Sequence, residues 1–386
     1  MSRILWFSAK PTIPSGYGTQ TRLLVPYLAK YHEVAIACHA GLFGAVEENR
    51  GVRLYPHSNF PGKYCMDLIE SHCQHFKPDV VVSWVDSFIL EPSVISKLPW
   101  ISWVPCDSEP LMAKNIIPLK ACKKIIAPTE WSKQSIEMTG LKVDTVIPCA
   151  YDAKQFYSMT ESREEIRKTL SKVINVEIGN KFLVNVVSAN SSYRKNFPAI
   201  FSAWKLFSKG KKDVMLYIHT DPSGYFFQGD DLHLMMKTMG VDMSTVFFPP
   251  QWEYVTGAIG ENFLNLLYNA SDVHLNTCYG EGFGLPILEA QATGCPAIVP
   301  AFGAAQEIAL DKELICHFGN MEYTLPGGMQ FKVSSQDVAS KLSMLWIETN
   351  RYDYQYPRKA LAEKTRKYVI ENVIKHWNSF LNNCLK

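Results

Sequence analysis

The chain has 386 residues, 47% of them hydrophobic and 20% charged, and its 39 basic and 37 acidic side chains leave a formal net charge of +2. Such a composition belongs to a globular protein, and at about 100–200 residues per domain the length favours two domains with a cleft between them. The near-zero balance excludes coating of nucleic acid or an anionic membrane through the overall field, which requires many surplus Lys and Arg side chains.

The chain opens on Met1-Ser-Arg-Ile-Leu-Trp-Phe-Ser-Ala-Lys10, whose apolar run is too short for a secretory signal. No later stretch reaches the roughly 18 uncharged apolar residues of a membrane span, so a cytoplasmic protein is expected. Apolar runs at 4–7, 34–38, 80–84, 100–104, 124–127 and 145–148 read as buried parallel strands with helical patterns between most of them. The rhythm pauses over 148–156 and the polar stretch 158–172, and restarts at 182–188. Strands then follow at 214–219, 245–248, 273–277 and 296–300, and helices at 196–208, 231–239, 259–269, 285–293 and 337–348. The tail 354–386 is helical, with Trp377 and Phe380 on one apolar face. The fold class expected is α/β, two doubly wound domains in tandem.

Ten cysteines are scattered along the chain, and Cys38, Cys122, Cys278, Cys295 and Cys316 sit in or beside apolar runs, as small buried thiols do. Cys65, His72, Cys73 and His75 come nearest to a metal cluster. No second pair with matching spacing follows them, so the stretch reads as a structural helix and no metal is expected.

Three strand-to-helix loops carry candidate chemistry. In Pro14-Ser-Gly-Tyr-Gly-Thr-Gln-Thr21, Gly16 and Gly18 let the backbone turn tightly and approach a phosphate or sugar at the helix start, or simply make a tight turn. A dinucleotide fingerprint would put a third Gly where Thr21 stands and an acid after the second strand, which instead runs into Cys38-His39-Ala40, so a nicotinamide dehydrogenase is disfavoured. In Tyr279-Gly-Glu-Gly-Phe-Gly-Leu-Pro-Ile-Leu-Glu-Ala290, Gly282 and Gly284 bring the amides of Phe283, Gly284 and Leu285 to whatever binds, at the positive end of a helix that Pro286 begins. Glu281 and Glu289 flank that anion site. Two carboxylates repel a bare phosphate but accept paired hydroxyls, so the loop suits a ligand with both a diphosphate and diols, which is a nucleotide sugar. In Ser188-Ala-Asn-Ser-Ser-Tyr-Arg-Lys-Asn-Phe197, Arg194 and Lys195 are placed to stabilise a departing nucleoside diphosphate, although two basic loop residues are also ordinary solvated surface.

At these residues the chain resembles the retaining glycosyltransferases of family 4, which have the GT-B architecture of two facing Rossmann-like domains. Glu281-Gly-Phe-Gly-Leu-Pro-Ile-Leu-Glu289 matches the family's E-x7-E signature and Ala292-Thr-Gly-Cys-Pro-Ala-Ile-Val299 the segment after it. Ile126-Ala-Pro-Thr-Glu-Trp-Ser-Lys-Gln134 and Val146-Ile-Pro-Cys-Ala-Tyr-Asp152 look like the end of the N-terminal domain and the entry to the linker. The resemblance implies an acceptor-side domain over 1–155, a nucleotide-sugar domain over 156–360 and a C-terminal helix, 361–386, that packs back on the first domain. It implies further that Glu281 contacts the donor sugar, Glu289 the ribose, and Arg194 with Lys195 the diphosphate. The donor is a nucleotide sugar, most often UDP-linked in this family, and neither a cofactor nor a metal is required.

Departures from the family pattern qualify the likeness. Where a His commonly reaches the donor sugar, this chain reads Trp103-Val-Pro-Cys-Asp-Ser-Glu-Pro110, so Asp107 is the substitute candidate, against a turn Asp, with Ser108 and Tyr17 on the acceptor side. Asn190 stands near the position of a missing basic residue, for which Arg194 compensates. A narrower likeness, to bacterial and viral members, rests on Leu216-Tyr-Ile-His-Thr220 and Tyr268-Asn-Ala-Ser-Asp-Val273, and puts His219 at a strand end on the donor side or buried in the core.

The expected function is sugar transfer to an acceptor chosen by the loops 40–64 and 87–115, whether glycan, lipid, protein or modified DNA base. The rival from another class is a nucleotide-sugar-binding protein without turnover. Lys114, Lys120, Lys123 and Lys124 suit contact with DNA or a membrane surface, or simply a solvated face.

Overall fold

The structure, a computed structural model, describes residues 1–60, 62–191, 193–225, 228–260, 262–324, 327–351 and 356–384. The chain forms two compact units. The first comprises Met1–Asp152, Tyr323–Met329 and Lys367–Lys386, and the second Ala153–Glu322 and Gln330–Arg366.

The first unit is built on β1 (Arg3–Ala9), β2 (Glu33–Ala40), β3 (Glu47–Asn49), β4 (Val52–Tyr55), β5 (Val80–Trp84), β6 (Trp100–Trp103), β7 (Lys124–Ala127) and β8 (Thr145–Val146), in the order β3-β4-β2-β1-β5-β6-β7-β8. All neighbours are parallel except β3 and β4. Strands covered on both faces read as unbroken apolar runs, and Ile4, Leu5, Trp6 and Phe7 are all fully buried. The β3–β4 ribbon escapes that signal because Glu47, Glu48 and Asn49 are exposed and the strand exists only through its pairing, Glu48 opposite Arg53. Helix Ile370–Cys384 belongs to this unit, where Trp377 meets Trp6 and Trp103 edge-on at 5.5 and 5.2 Å between ring centres.

The second unit carries β9 (Phe182–Val187), β10 (Val214–His219), β11 (Val246–Phe247), β12 (Val273–Leu275), β13 (Ala297–Pro300) and β14 (Ile315–Cys316), ordered β11-β10-β9-β12-β13-β14 and parallel throughout. In each sheet the chain order reverses at the first strand, β1 or β9, and open α/β sheets bind ligands at the carboxyl ends of the strands beside such a reversal. The loops after β9 and β12, which carry Arg194, Lys195 and Glu281, lie at that point.

The polar stretch expected as a pause is mostly helix, Arg163–Ile174, started by a capping box between Ser162 and Glu165. Its buried apolar residues are Ile166, Leu170 and Ile174, one per turn, and they pack with Leu183, Met215 and Leu267. So thin an apolar stripe is easily read as none. Among the described residues, no helix is long and apolar enough to cross a membrane.

Asp272 fastens this helix to the sheet. Its buried carboxylate accepts from Arg163 and Arg167, each at 2.6 Å, and from the Leu183 amide at 2.7 Å. Burial pushes its pKa up, but the two guanidinium groups and the amide outweigh burial and hold it below the usual 3.8. A depressed carboxylate stabilises the fold above its unfolded pKa and loses that contribution as pH falls through the folded value. Asp272→Asn therefore lowers stability at neutral pH by about 3–5 kcal/mol, the cost of breaking a buried pair. Urea denaturation should show this loss at pH 7 and a smaller one in acid below the usual carboxylate pKa; equal losses at both would refute the assignment.

Candidate functional site

The second unit assembles its polar residues from three places. The loop after β9 brings Arg194 and Lys195, the end of β12 brings Asn276 and Cys278, and the turn before helix Leu285–Ala292 brings Glu281. Gly284 makes this turn possible, because it starts the helix at φ +96° and a Cβ there would meet Ile287 Cδ1 at 2.9 Å. The first two loops are tied together by the Tyr279 amide donating to the Arg194 carbonyl at 3.0 Å and by the stacked rings of Tyr193 and Tyr279, 4.7 Å apart.

Glu281, 9% exposed, is the hub. Its Oε1 accepts from Lys195 Nζ at 2.7 Å and Cys278 Sγ at 2.9 Å, with Asn276 Nδ2 at 3.5 Å, and its Oε2 accepts from Arg194 Nη1 at 3.2 Å. Arg194 Nη1 also donates to the Gly280 carbonyl at 3.0 Å. Burial pushes the Glu281 pKa up, but Lys195 and Arg194 outweigh it and hold the carboxyl well below its usual range, so the group is ionised. Burial first, and then the Glu281 charge, push the Cys278 thiol up to about 12, which keeps it protonated and a donor.

The other expected donor-side residues take different places. Glu289 lies on helix Leu285–Ala292, buried, and accepts from Tyr268 Oη at 3.4 Å. Gly282 and Leu285 are partly buried and Phe283 and Gly284 buried around the helix start. His219 ends β10 among aromatic rings, 5.1 Å from Phe263 and 4.9 Å from Tyr254, and burial lowers its pKa to about 4, so the imidazole is neutral. Asn190, expected as a donor ligand, lies in the loop after β9. Its amide donates to the carbonyls of Asp221 and Asp230, both at 2.8 Å, and accepts from the Asp230 amide at 3.2 Å, so the side chain is used in holding that loop.

In the first unit the glycine loop makes a tight turn into its helix. Ser15 Oγ caps the helix at the Gly18 amide at 3.2 Å, and a Cβ on Gly18 would lie 2.2 Å from the Ile13 carbonyl oxygen. Trp84 Nε1 donates to the Gly16 carbonyl, and its ring meets Tyr17 edge-on at 5.7 Å. Asp107 is half-buried in the loop after β6. Ser108, expected on the acceptor side, is fully buried, its hydroxyl donates to the Pro110 carbonyl, and its Cβ would lie 2.8 Å from a Cβ on Gly328. Of the expected basic run, Lys124 pairs with Asp144 at 3.0 Å and Lys114 lies over the Phe88 ring at 3.9 Å. Cys65 and His72, from the stretch expected to be a structural helix, both donate toward the Pro56 carbonyl.

Residues 240–323, which include both glutamates, match the family model described as Glycosyl transferases group 1. The whole chain superimposes on solved structures. With sucrose-phosphate synthase from Thermosynechococcus elongatus the TM-score is 0.73 at 14% identity, covering 99% of each chain. With Anabaena HepE in complex with UDP-glucose it is 0.71 at 14% identity, covering 99% of this chain and 100% of that one. The fold is that of the GT-B glycosyltransferases. Within this GT-B chain, 175 residues are also 27% identical to the alpha-monoglucosyldiacylglycerol synthase of Streptococcus pneumoniae, a match that takes in 45% of this chain and 36% of that protein.

Asn276 and Cys278 escaped the motif reading, since Asn-Thr-Cys before the glycine turn matches no motif of its own, although the turn sets both within five residues of the Glu281 carboxylate they donate to. Sequence gave equally little sign of His39, which ends β2 with neither ring nitrogen hydrogen-bonded and a pKa lowered to about 4 by burial. Lys195→Ala removes the shortest cation from a buried carboxylate and should cost up to about 3–5 kcal/mol of stability at pH 7. The depressed Glu281 stabilises above its unfolded pKa, so the difference between variant and parent should shrink as pH falls below about 4.3, the unperturbed Glu value. Denaturant melts across pH check this, and a constant difference would count against the pairing.

Proposed function

We propose that this protein is a glycosyltransferase that takes a sugar from a nucleotide-sugar donor, UDP-linked, and attaches it to an acceptor hydroxyl with retention at the anomeric carbon. The observation that carries this reading is the convergence of a buried, ionised Glu281 with Lys195 and Arg194 at the strand ends beside the sheet reversal of a GT-B chain. The solved relative HepE, whose complex holds UDP-glucose, supports the choice of donor.

In this reading Arg194 and Lys195 stabilise the departing diphosphate, together with the amides at the start of helix Leu285–Ala292, and no metal ion is required. Glu281 orients the donor sugar through its hydroxyls and Glu289 accepts from the ribose diol. The bond from the anomeric carbon to the diphosphate oxygen breaks, the acceptor oxygen bonds to that carbon on the same face, and the acceptor proton passes to the leaving diphosphate oxygen. Asp107, Tyr17 and the Gly16–Gly18 turn belong to the acceptor-side unit. That unit's loops 40–64 and 87–115 select the acceptor.

The purified chain, given UDP-sugars and a panel of glycans, lipids, proteins and modified DNA, should release UDP and form an α-linked product from an α-linked donor. Glu281→Ala and Lys195→Ala should each lower the rate by about 100-fold or more, as removing a charge-stabilising group does. Binding of UDP-sugar with no sugar release from any donor would leave a nucleotide-sugar-binding protein without turnover.

A further inference from the structure

The two cations placed for a diphosphate already have an anion from within the chain. Lys195 Nζ lies 2.7 Å from Glu281 Oε1 and Arg194 Nη1 3.2 Å from Oε2, with only 13% and 11% of the Lys195 and Glu281 side chains exposed. The carboxylate is held most strongly by the largely buried Lys195 and less by Arg194, whose side chain is 36% exposed, so a diphosphate approaching the two cations competes with it. We infer that Glu281 is an internal counter-ion that a diphosphate must displace from Arg194 and Lys195, and that the Cys278 thiol is the positioning group that keeps hold of the carboxylate once the cations have left it. The inference rests on the function proposed above and adds a regulatory step to the same site.

The chain's layout suits such an exchange. The cations come from the loop after β9, whereas Asn276 and Cys278 come from the end of β12, so the groups that leave and the groups that stay sit on different segments. One carboxylate against two cations leaves a net positive charge that still attracts a more highly charged anion. When the cations turn to the diphosphate, Oε1 keeps the Cys278 S–H donor at 2.9 Å and the Asn276 amide at 3.5 Å, while Oε2 loses its Arg194 bond and is open to a sugar hydroxyl. The backbone need not follow, because the Glu281 carbonyl is fixed by the Ala304 amide at 3.3 Å. The exchange therefore links donor entry to release of the group that orients the donor sugar, and keeps a buried carboxylate from being left without partners.

The test measures dissociation constants for UDP and for inorganic pyrophosphate by calorimetry on the full chain, its Glu281→Gln variant and its Cys278→Ala variant. Glu281→Gln, which removes the competing charge and keeps the shape, should bind both ligands about tenfold more tightly, in keeping with the coupling of close charge pairs. Cys278→Ala should bind UDP as the parent does yet hydrolyse or transfer the donor sugar more slowly, with Cys278→Ser restoring the rate. Glu281→Gln binding no more tightly than the parent, or Cys278→Ala changing affinity rather than rate, overturns the proposal. If pyrophosphate binds with the predicted tightening and UDP does not bind at all, the exchange stands and the nucleotide reading falls. If the parent and Glu281→Gln bind UDP equally, the exchange falls and the nucleotide reading stands. Should Glu281→Gln fail to fold, the Lys195 ammonium nitrogen resonance of the parent is followed as UDP is added; a change supports the exchange and an unchanged resonance overturns it.

Discussion

A carboxylate taken out of water needs compensation, and at Glu281 that need organises the second unit. The chain supplies two cations from one strand-end loop and a thiol and an amide from another, so the loops after β9 and β12 are held together by the group they surround. Replacing buried ion pairs by apolar packing is often neutral or stabilising, so stability alone does not account for this arrangement. The function proposed above accounts for it, since the same charges that neutralise Glu281 are those a phosphate-rich ligand requires.

The parallel sheets make the constraint workable. Six parallel strands with a reversal at β9 leave adjacent strand ends pointing the same way, and the two loops that diverge there converge on one point. Behind them, Asp272 pins helix Arg163–Ile174 to the Leu183 amide at the opposite end of β9, so charge is anchored at both ends of the same strand. The first unit repeats the topology with a tight glycine turn in place of a charged cluster. Its Gly18 has no room for a side chain, and its aromatic residues Tyr17 and Trp84 line that turn.

Much of this was legible in the linear chain. The strand runs showed themselves because parallel strands buried on both faces must be apolar throughout, and the Glu281–Glu289 segment because a strand, a glycine turn and a helix start must follow one another locally. The helix Arg163–Ile174 and the ribbon of β3 and β4 stayed hidden for the opposite reason. The helix buries a single apolar residue per turn, and of the ribbon β3 buries none while β4 is only four residues long, so neither leaves a clear period in the sequence. The Asn190 amide is taken by the carbonyl groups of Asp221 and Asp230, thirty or more residues along the chain, whereas the Ser108 hydroxyl is taken by Pro110 within its own loop.

The sequence by itself determined the α/β rhythm, the glycine turns and the residue types able to meet a diphosphate and a diol, because each of these depends on neighbours within a few positions. Tertiary structure alone decided which partners the charges have. Arg194 and Lys195 are separated from Glu281 by more than eighty residues, whereas Asn276 and Cys278 lie within five residues of it. Their meeting depends on strand order, which brings β9 beside β12 although β10 and β11 intervene in the chain. That the buried Glu281 carboxylate is ionised follows from that pairing.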